Sequence, residues 1–132
     1  MKFFRYFLKF TTLIFFFCTP LIYASTENIE PIYDKVYRTD KVADAYHFFL
    51  ISKNGKYYYV HTNKTKRLTP SEIKSPNLIN ILNKKQSWGK VFISSGEYTK
   101  KDGRFYTKRY WDHIKLFNAK KIKYLNKSFR LQ

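Results

Sequence analysis

Two short turn signals, each set between stretches rich in apolar residues, constrain the fold of this chain most. Asn54-Gly55 separates residues 46–52 from 56–62, and Asp102-Gly103 precedes a second alternating stretch at 104–111. Both dipeptides favour the positive backbone dihedrals that a two-residue hairpin turn requires. The sequence therefore predicts two antiparallel β-hairpins with tight turns.

Helix signals lie between these hairpins. Thr69-Pro70-Ser71-Glu72 has the pattern of a capping box with proline at the first helical position, and an apolar stripe follows at 78–82. Further strands are predicted at 114–117 and 121–125, with 128–131 as an additional candidate. The order ββ-α-ββ-ββ predicts an α+β fold of about six strands. We expect an antiparallel sheet or a small curled barrel with one or two short helices.

A two-residue loop at 54–55 would fix the faces of the first hairpin. In that register Phe49 lies opposite Val60, and both faces are apolar, so we expect this hairpin to be covered on both sides. His47 and His61 then lie on opposite faces and cannot share a metal ion. We therefore expect no metal site, and no sequence motif indicates a cofactor.

The second hairpin has one apolar face and one exposed face. With a loop at 102–103, the side carrying Phe92, Tyr98, Phe105 and Trp111 is expected to join the core. Glu97 falls opposite Lys108 on the exposed side, where an ion pair is expected. That side alternates bases with tyrosines: Arg104, Tyr106, Lys108 and Tyr110.

A third hairpin is predicted around a three-residue loop at 118–120. Its register pairs Leu116 with Ile122 and leaves Lys115 directly facing Lys123, with Lys121 also outward. Like charges that face each other across a ladder destabilise a sheet. Two interpretations follow: a solvated lysine face that discourages sheet-to-sheet aggregation, or a site for an anion.

Charge is distributed unevenly along the chain. Residues 25–50 carry five acids and three bases, whereas residues 51–132 carry twenty bases and four acids, a net charge of +16. Within a small domain such a surplus repels itself unless an anion neutralises it. Codon bias towards lysine does not by itself explain the surplus, since glutamate also has A/T-rich codons and acids are scarce after Asp44.

The N-terminus has the three-part layout of a secretory signal. Lys2, Arg5 and Lys9 precede an uncharged run of 14 residues, and Ala24 stands before a polar stretch. The run is shorter than the ~20 residues that span a bilayer, which favours cleavage after Ala24 over a retained anchor. We expect a signal peptide at 1–24, an acidic loop or short helix at 25–45 and a basic domain at 46–132. The mature chain would be periplasmic or secreted.

These features favour a non-catalytic binding protein for an anionic polymer or surface, with envelope lipid or glycan, an anionic membrane and nucleic acid as candidate partners. The alternative is a protein-interaction subunit or inhibitor that docks an acidic protein. The oligomeric state is not indicated. The expected anion-binding residues are Arg104, Tyr106, Lys108, Tyr110, Lys115, Lys121 and Lys123.

A third hypothesis is a small secreted hydrolase. The order Glu97, Arg104, Arg109, His113, with Asp112 before His113 and Phe117 behind it, resembles microbial barnase-like ribonucleases over a few residues near the C-terminus, with compressed spacing. The resemblance implies a general base and acid around a cation that holds phosphate. The chain lacks a glycine-rich phosphate loop and a serine nucleophile elbow, so we expect no enzyme.

Overall fold

The computed structural model describes residues 29–108 and 113–132, so the expected signal peptide, Tyr110 and Trp111 lie outside the described residues. Eight antiparallel strands follow one another around a closed barrel, and two short helices connect the third strand to the fourth. The elements are β1 (Val36–Arg38), β2 (Tyr46–Ile51), β3 (Lys56–Thr62), α1 (Pro70–Lys74), α2 (Leu78–Lys85), β4 (Val91–Lys101), β5 (Arg104–Thr107), β6 (His113–Asn118), β7 (Lys121–Tyr124) and β8 (Lys127–Leu131).

The expectation of an antiparallel fold with one or two helices is confirmed, and the barrel is the form it takes. The expected strand count of about six was too low. One added strand, β1, lies in the segment expected as a loop or short helix. It pairs with both β2 and β8 and so closes the barrel.

Aromatic side chains fill the barrel interior. Phe49, Phe105 and Phe129 are fully buried there, and the rings of Phe49 and Tyr124 lie 4.7 Å apart between centroids. Gly96 makes room for this packing, because a Cβ at that position would lie 2.9 Å from the ring of Tyr57. The alternation of inward and outward residues along each strand thus produces a solid core.

A second apolar cluster lies outside the barrel, beneath the helices. Phe48, Leu50 and Val60 project from β2 and β3 against Leu78 and Leu82 of α2. The capping box at Thr69 forms as expected, since its side chain accepts from the Glu72 amide. The first hairpin is therefore covered on both faces, as its two apolar faces predict.

The register of this hairpin differs by one residue from the expectation. Its loop has three residues, 53–55, with Gly55 at a φ of +91°, and Phe49 pairs with Tyr59 instead of Val60. This is the pattern of a three-residue hairpin loop that ends in a left-handed glycine. The expected separation of the histidines was therefore wrong: His47 lies directly opposite His61.

The other two hairpins match the expected registers more closely. The loop at 102–103 gives the predicted pairs, including Tyr106 with Thr99. In the third hairpin the predicted pair of Lys115 and Lys123 forms, but the loop has only two residues because Asn118 pairs with Lys121. The register shifts by one residue between Leu116 and Asn118, as at a β-bulge, and this shift accounts for the shorter loop.

The two ends of the barrel differ in what closes them. The hairpin end carries the β2–β3, β4–β5 and β6–β7 turns, and residues 29–35 lie against it, with the Ile32 amide donating to the Tyr37 hydroxyl at 2.9 Å. The histidine end carries His47, His61 and the β1–β2, β3–β4 and β7–β8 connections. Ala43 and Asp44, in the segment expected as a loop or short helix, form a tight turn with positive φ.

Candidate anion-binding surface

A row of cations runs across the outer face of neighbouring strands. Lys115 of β6 faces Lys123 of β7, Lys121 of β7 faces Arg130 of β8, and Arg130 also faces Arg38 of β1. Alternation places these side chains outside, because their strand neighbours Ile122 and Phe129 are fully buried in the barrel. We call Lys115, Lys121, Lys123 and Arg130 the basic wall.

No member of the basic wall forms an ion pair with a carboxylate in the described part of the chain. The carboxylates that do form ion pairs hold lysines elsewhere. Glu72 binds Lys85 at 3.2 Å between α1 and α2, and the remaining acidic partners are Glu30 with Lys100, Asp34 with Lys74, Asp44 with Lys41, and Glu97 with Lys108. The paired acids of the N-terminal segment therefore leave the wall uncovered.

Of the expected site residues, Lys115, Lys121 and Lys123 lie in the wall, and the other four have three different outcomes. Arg104 and Tyr106 are exposed on β5, next to β6, and Arg104 lies one position beyond the Phe105–Ile114 pair, so it extends the wall. Lys108 is instead held by Glu97 at 3.1 Å, as its cross-strand position predicts. Tyr110 lies outside the described residues.

Three cationic residues in or beside the wall were not among the expected site residues: Lys120, Arg130 and Arg38. Lys120 and Arg130 line an open depression of about 550 Å³ together with the expected Lys121, and with Asn118 and Leu131. Sequence reasoning missed Arg130 and Arg38 because they come together only through the pairing of β8 with β1. These strands are far apart in the sequence, so no local signal indicates that they pair. The alternation of Ser128, Phe129 and Arg130 was the available signal for an outward arginine.

One exposed aromatic ring accompanies the wall. The ammonium groups of Lys115 and Lys121 lie 5.6 and 5.2 Å from the centroid of the Phe117 ring. Cation–π contacts of this kind attract an ammonium group to the face of an aromatic ring, and here they hold both ammonium groups close to the Phe117 ring. The arrangement therefore concentrates positive charge beside an apolar surface that a sugar or base could stack against.

The two histidines form a separate cluster inside the histidine end. Their rings stack with centroids 4.2 Å apart, and His47 Nδ1 lies 2.5 Å from the Tyr59 hydroxyl. Burial, with the nearby His61 and Lys127, lowers the pKa of His47 to about 4. Burial and the cations Lys127 and Lys90 also lower the pKa of His61.

The described residues contain no group of three or more His, Cys, Asp or Glu side chains placed to hold a metal ion. Of the residues that resemble a ribonuclease site, Glu97 and His113 are kept apart, while Arg109 and Asp112 lie outside the described residues. Glu97 is paired with Lys108, and β5 separates its strand from the one that begins at His113, so the two positions are roughly 10 Å apart.

The comparison of the chain with protein-family models, with curated proteins and with solved structures finds no match. Within residues 29–108 and 113–132, no helix has the length and apolar character needed to cross a bilayer.

Proposed function

We propose that this protein is an exported, non-catalytic binding module that holds an anionic polymer or surface against the basic wall. The observation that carries the proposal is the set of like-charged cross-strand pairs, Lys115 with Lys123 and Lys121 with Arg130. Each such pair costs stability, and no carboxylate in the described residues offsets it. A polyanion supplies the missing negative charge.

The closed barrel weakens the competing explanation for these lysines. Outward lysines protect the edge strand of an open sheet from pairing with another sheet. Here β7 pairs with β6 on one side and with β8 on the other, so it has no free edge to protect. The charge is therefore better explained by a ligand than by protection against aggregation.

The depression beside Arg130 and the ring of Phe117 suggest how a chain-like anion is held. Lys120, Lys121 and Arg130 surround an open hollow that accepts a phosphate, sulfate or carboxylate group. Phe117 offers a face on which the apolar part of the polymer rests. Export follows from the signal layout at residues 1–24 and places the partner outside the cytoplasm.

Salt-dependent binding to heparin and to long-chain polyphosphate tests the proposal. We expect the logarithm of the association constant to fall linearly with the logarithm of the salt concentration. Each neutralised anionic group should contribute about −0.7 to −0.9 to the slope. The triple variant K115Q/K123Q/R130Q should make that slope less steep, by the amount that corresponds to the loss of about two to three neutralised anionic groups.

The matched control is K53Q/K56Q/K84Q, which removes the same charge from exposed lysines elsewhere on the molecule. If both triple variants reduce the slope equally, net charge rather than the wall controls binding, and the proposal fails. If neither polyanion is retained but an acidic protein from an envelope extract is, after nuclease and glycan-degrading treatment, the alternative of a protein-docking subunit replaces it.

A further inference from the structure

Large exposed apolar side chains gather at the histidine end of the barrel. Trp88 is 70% exposed, Phe92 50%, Val42 47% and Leu125 37%. They come from three separate connections, β1–β2, β3–β4 and β7–β8, or from the strand position beside one. The hairpin end differs, because its turns are formed by Lys53-Asn54-Gly55, Asp102-Gly103 and Ala119-Lys120.

Leu125 occupies a backbone position that a leucine rarely adopts. It has a φ of +51°, and Asn126 follows at +59°, so the two form a turn that normally favours glycine, asparagine or aspartate. The residue is also partly exposed, so burial does not repay this strain. A strained apolar residue at the tip of a turn points to a role outside the fold.

Two of these positions are connected through the aromatic interior of the barrel. The ring of Phe92 lies 6.2 Å from that of Tyr59, which lies 5.9 Å from Tyr124, the residue before Leu125. Phe92 and Leu125 therefore flank a shared aromatic floor.

Cations accompany the apolar residues at this end of the barrel. Lys90 is exposed two residues from both Trp88 and Phe92, and Lys127 lies close enough to His47 and His61 to lower the pKa of each. Neither lysine forms an ion pair among the described residues. The local acids Asp40 and Asp44 belong to the β1–β2 turn, where Asp44 contacts Lys41 at 3.9 Å.

We propose that the histidine end is a membrane-contact surface, at which Trp88, Phe92 and Leu125 enter the headgroup region of an anionic lipid bilayer. Tryptophan and neighbouring apolar residues partition to the boundary between headgroups and acyl chains. Lys90 and Lys127 lie beside them, where they meet the negative charge of the lipid phosphates. This surface is distinct from the basic wall, and the inference does not require the wall to bind a polymer.

Flotation with vesicles tests the inference. We expect the protein to float with equal mixtures of phosphatidylglycerol and phosphatidylcholine, and to bind phosphatidylcholine alone weakly. The variant W88S should lower vesicle partitioning roughly tenfold. L125N should lower it roughly threefold, since Leu125 is only 37% exposed and has less area left to bury. L125N also relieves the positive-φ strain, which offsets the packing lost with the leucine side chain.

The matched control is I79N, which removes an apolar side chain that is 57% exposed on α2 and should leave vesicle binding unchanged. In a W111F background, Trp88 fluorescence should shift to the blue with vesicles and be quenched by brominated lipid. Unquenched Trp88, or wild-type partitioning of both W88S and L125N, would overturn the inference. So would vesicle binding that disappears in K115Q/K123Q/R130Q, because the wall would then be the lipid contact. Heparin binding that survives W88S and L125N keeps the proposed function independent of this result.

Discussion

The imidazole of His47 lies flat against that of His61, with 4.2 Å between ring centroids and 9° between ring planes. His47 is 5% exposed, and its Nδ1 meets the Tyr59 hydroxyl. A stacked, buried pair tolerates neutral rings, but protonation brings a charge that is poorly solvated and close to Lys127.

The fold should therefore lose stability in mild acid. The pKa of His47 falls from 6.5 in the unfolded chain to about 4 in the fold, so stability is complete above pH 6.5 and is lost as the pH drops towards 4. The loss should reach at most about 3 kcal/mol. Urea unfolding at pH 7, 5.5 and 4 measures it. In the variant H47Q the free energy of unfolding should depend less on pH. If it depends on pH as steeply as in the wild type, groups other than His47 cause the loss of stability.

Reversing one charge of the basic wall should stabilise the barrel while it weakens binding. Lys123→Glu replaces a repulsive cross-strand pair with an attractive one opposite Lys115, which should add about 1 kcal/mol and raise Tm by ~4 °C. Heparin affinity should fall in the same variant. The opposite control is Lys108→Glu, which places two carboxylates together at Glu97 and should lower Tm.

Gly96 should tolerate no side chain. An alanine Cβ would stand 2.9 Å from the Tyr57 ring, which is buried and cannot swing away. We expect Gly96→Ala to cost about 1–3 kcal/mol in thermal or chemical unfolding. Gly55→Ala is the comparison, since open space surrounds that position and only its φ of +91° is unfavourable. It should cost about 1 kcal/mol. Equal losses would contradict the packing argument.

Lys64 should be a structural residue despite its charge. It is 7% exposed, and its ammonium donates to Asn83 and, at 3.2 Å each, to the carbonyls of Gln86 and Ser87 beyond the C-terminus of α2. Lys64→Met leaves these acceptors unsatisfied and should cost about 2–4 kcal/mol in urea unfolding. Exposed Lys84, on the same helix, provides the control: Lys84→Met should change stability by less than about 0.5 kcal/mol.

Local signals in the sequence predicted the parts of the fold that depend on neighbours in the chain. The Asp102-Gly103 turn and the Glu97–Lys108 ion pair follow from two adjacent residues and a period of two. Lys115 opposite Lys123 follows in the same way, and these two residues with Lys121 are the wall residues that the sequence analysis named.

Asn54-Gly55 shows where local reasoning fails. The dipeptide fits a two-residue loop, but it fits equally well at the end of a three-residue loop with Gly55 left-handed. A shift of one residue moves every side chain of one strand to the opposite face of the sheet, relative to its partner strand. That shift is why the histidines were expected apart and are found in contact. Only packing of Tyr57 and Tyr59 into the barrel decides between the two registers.

The seam between β1 and β8 lay beyond local prediction, since it joins Tyr37 to Leu131 across most of the described chain. Val36–Arg38 is short and carries no turn signal of its own. Arg130 of the wall and the neighbouring Arg38 meet only through this seam, and so they were absent from the expected site.

The same seam sets the order in which the protein can mature. The Gln132 amide donates to the Val36 carbonyl at 2.9 Å, and the Gln132 side chain bonds to Leu68. A growing polypeptide cannot make these bonds while its final strand remains in the ribosomal exit tunnel. Closure therefore waits until β8 has left the tunnel and carries a large loop-closure cost, so β1 to β7 form an open sheet with two free edges until then.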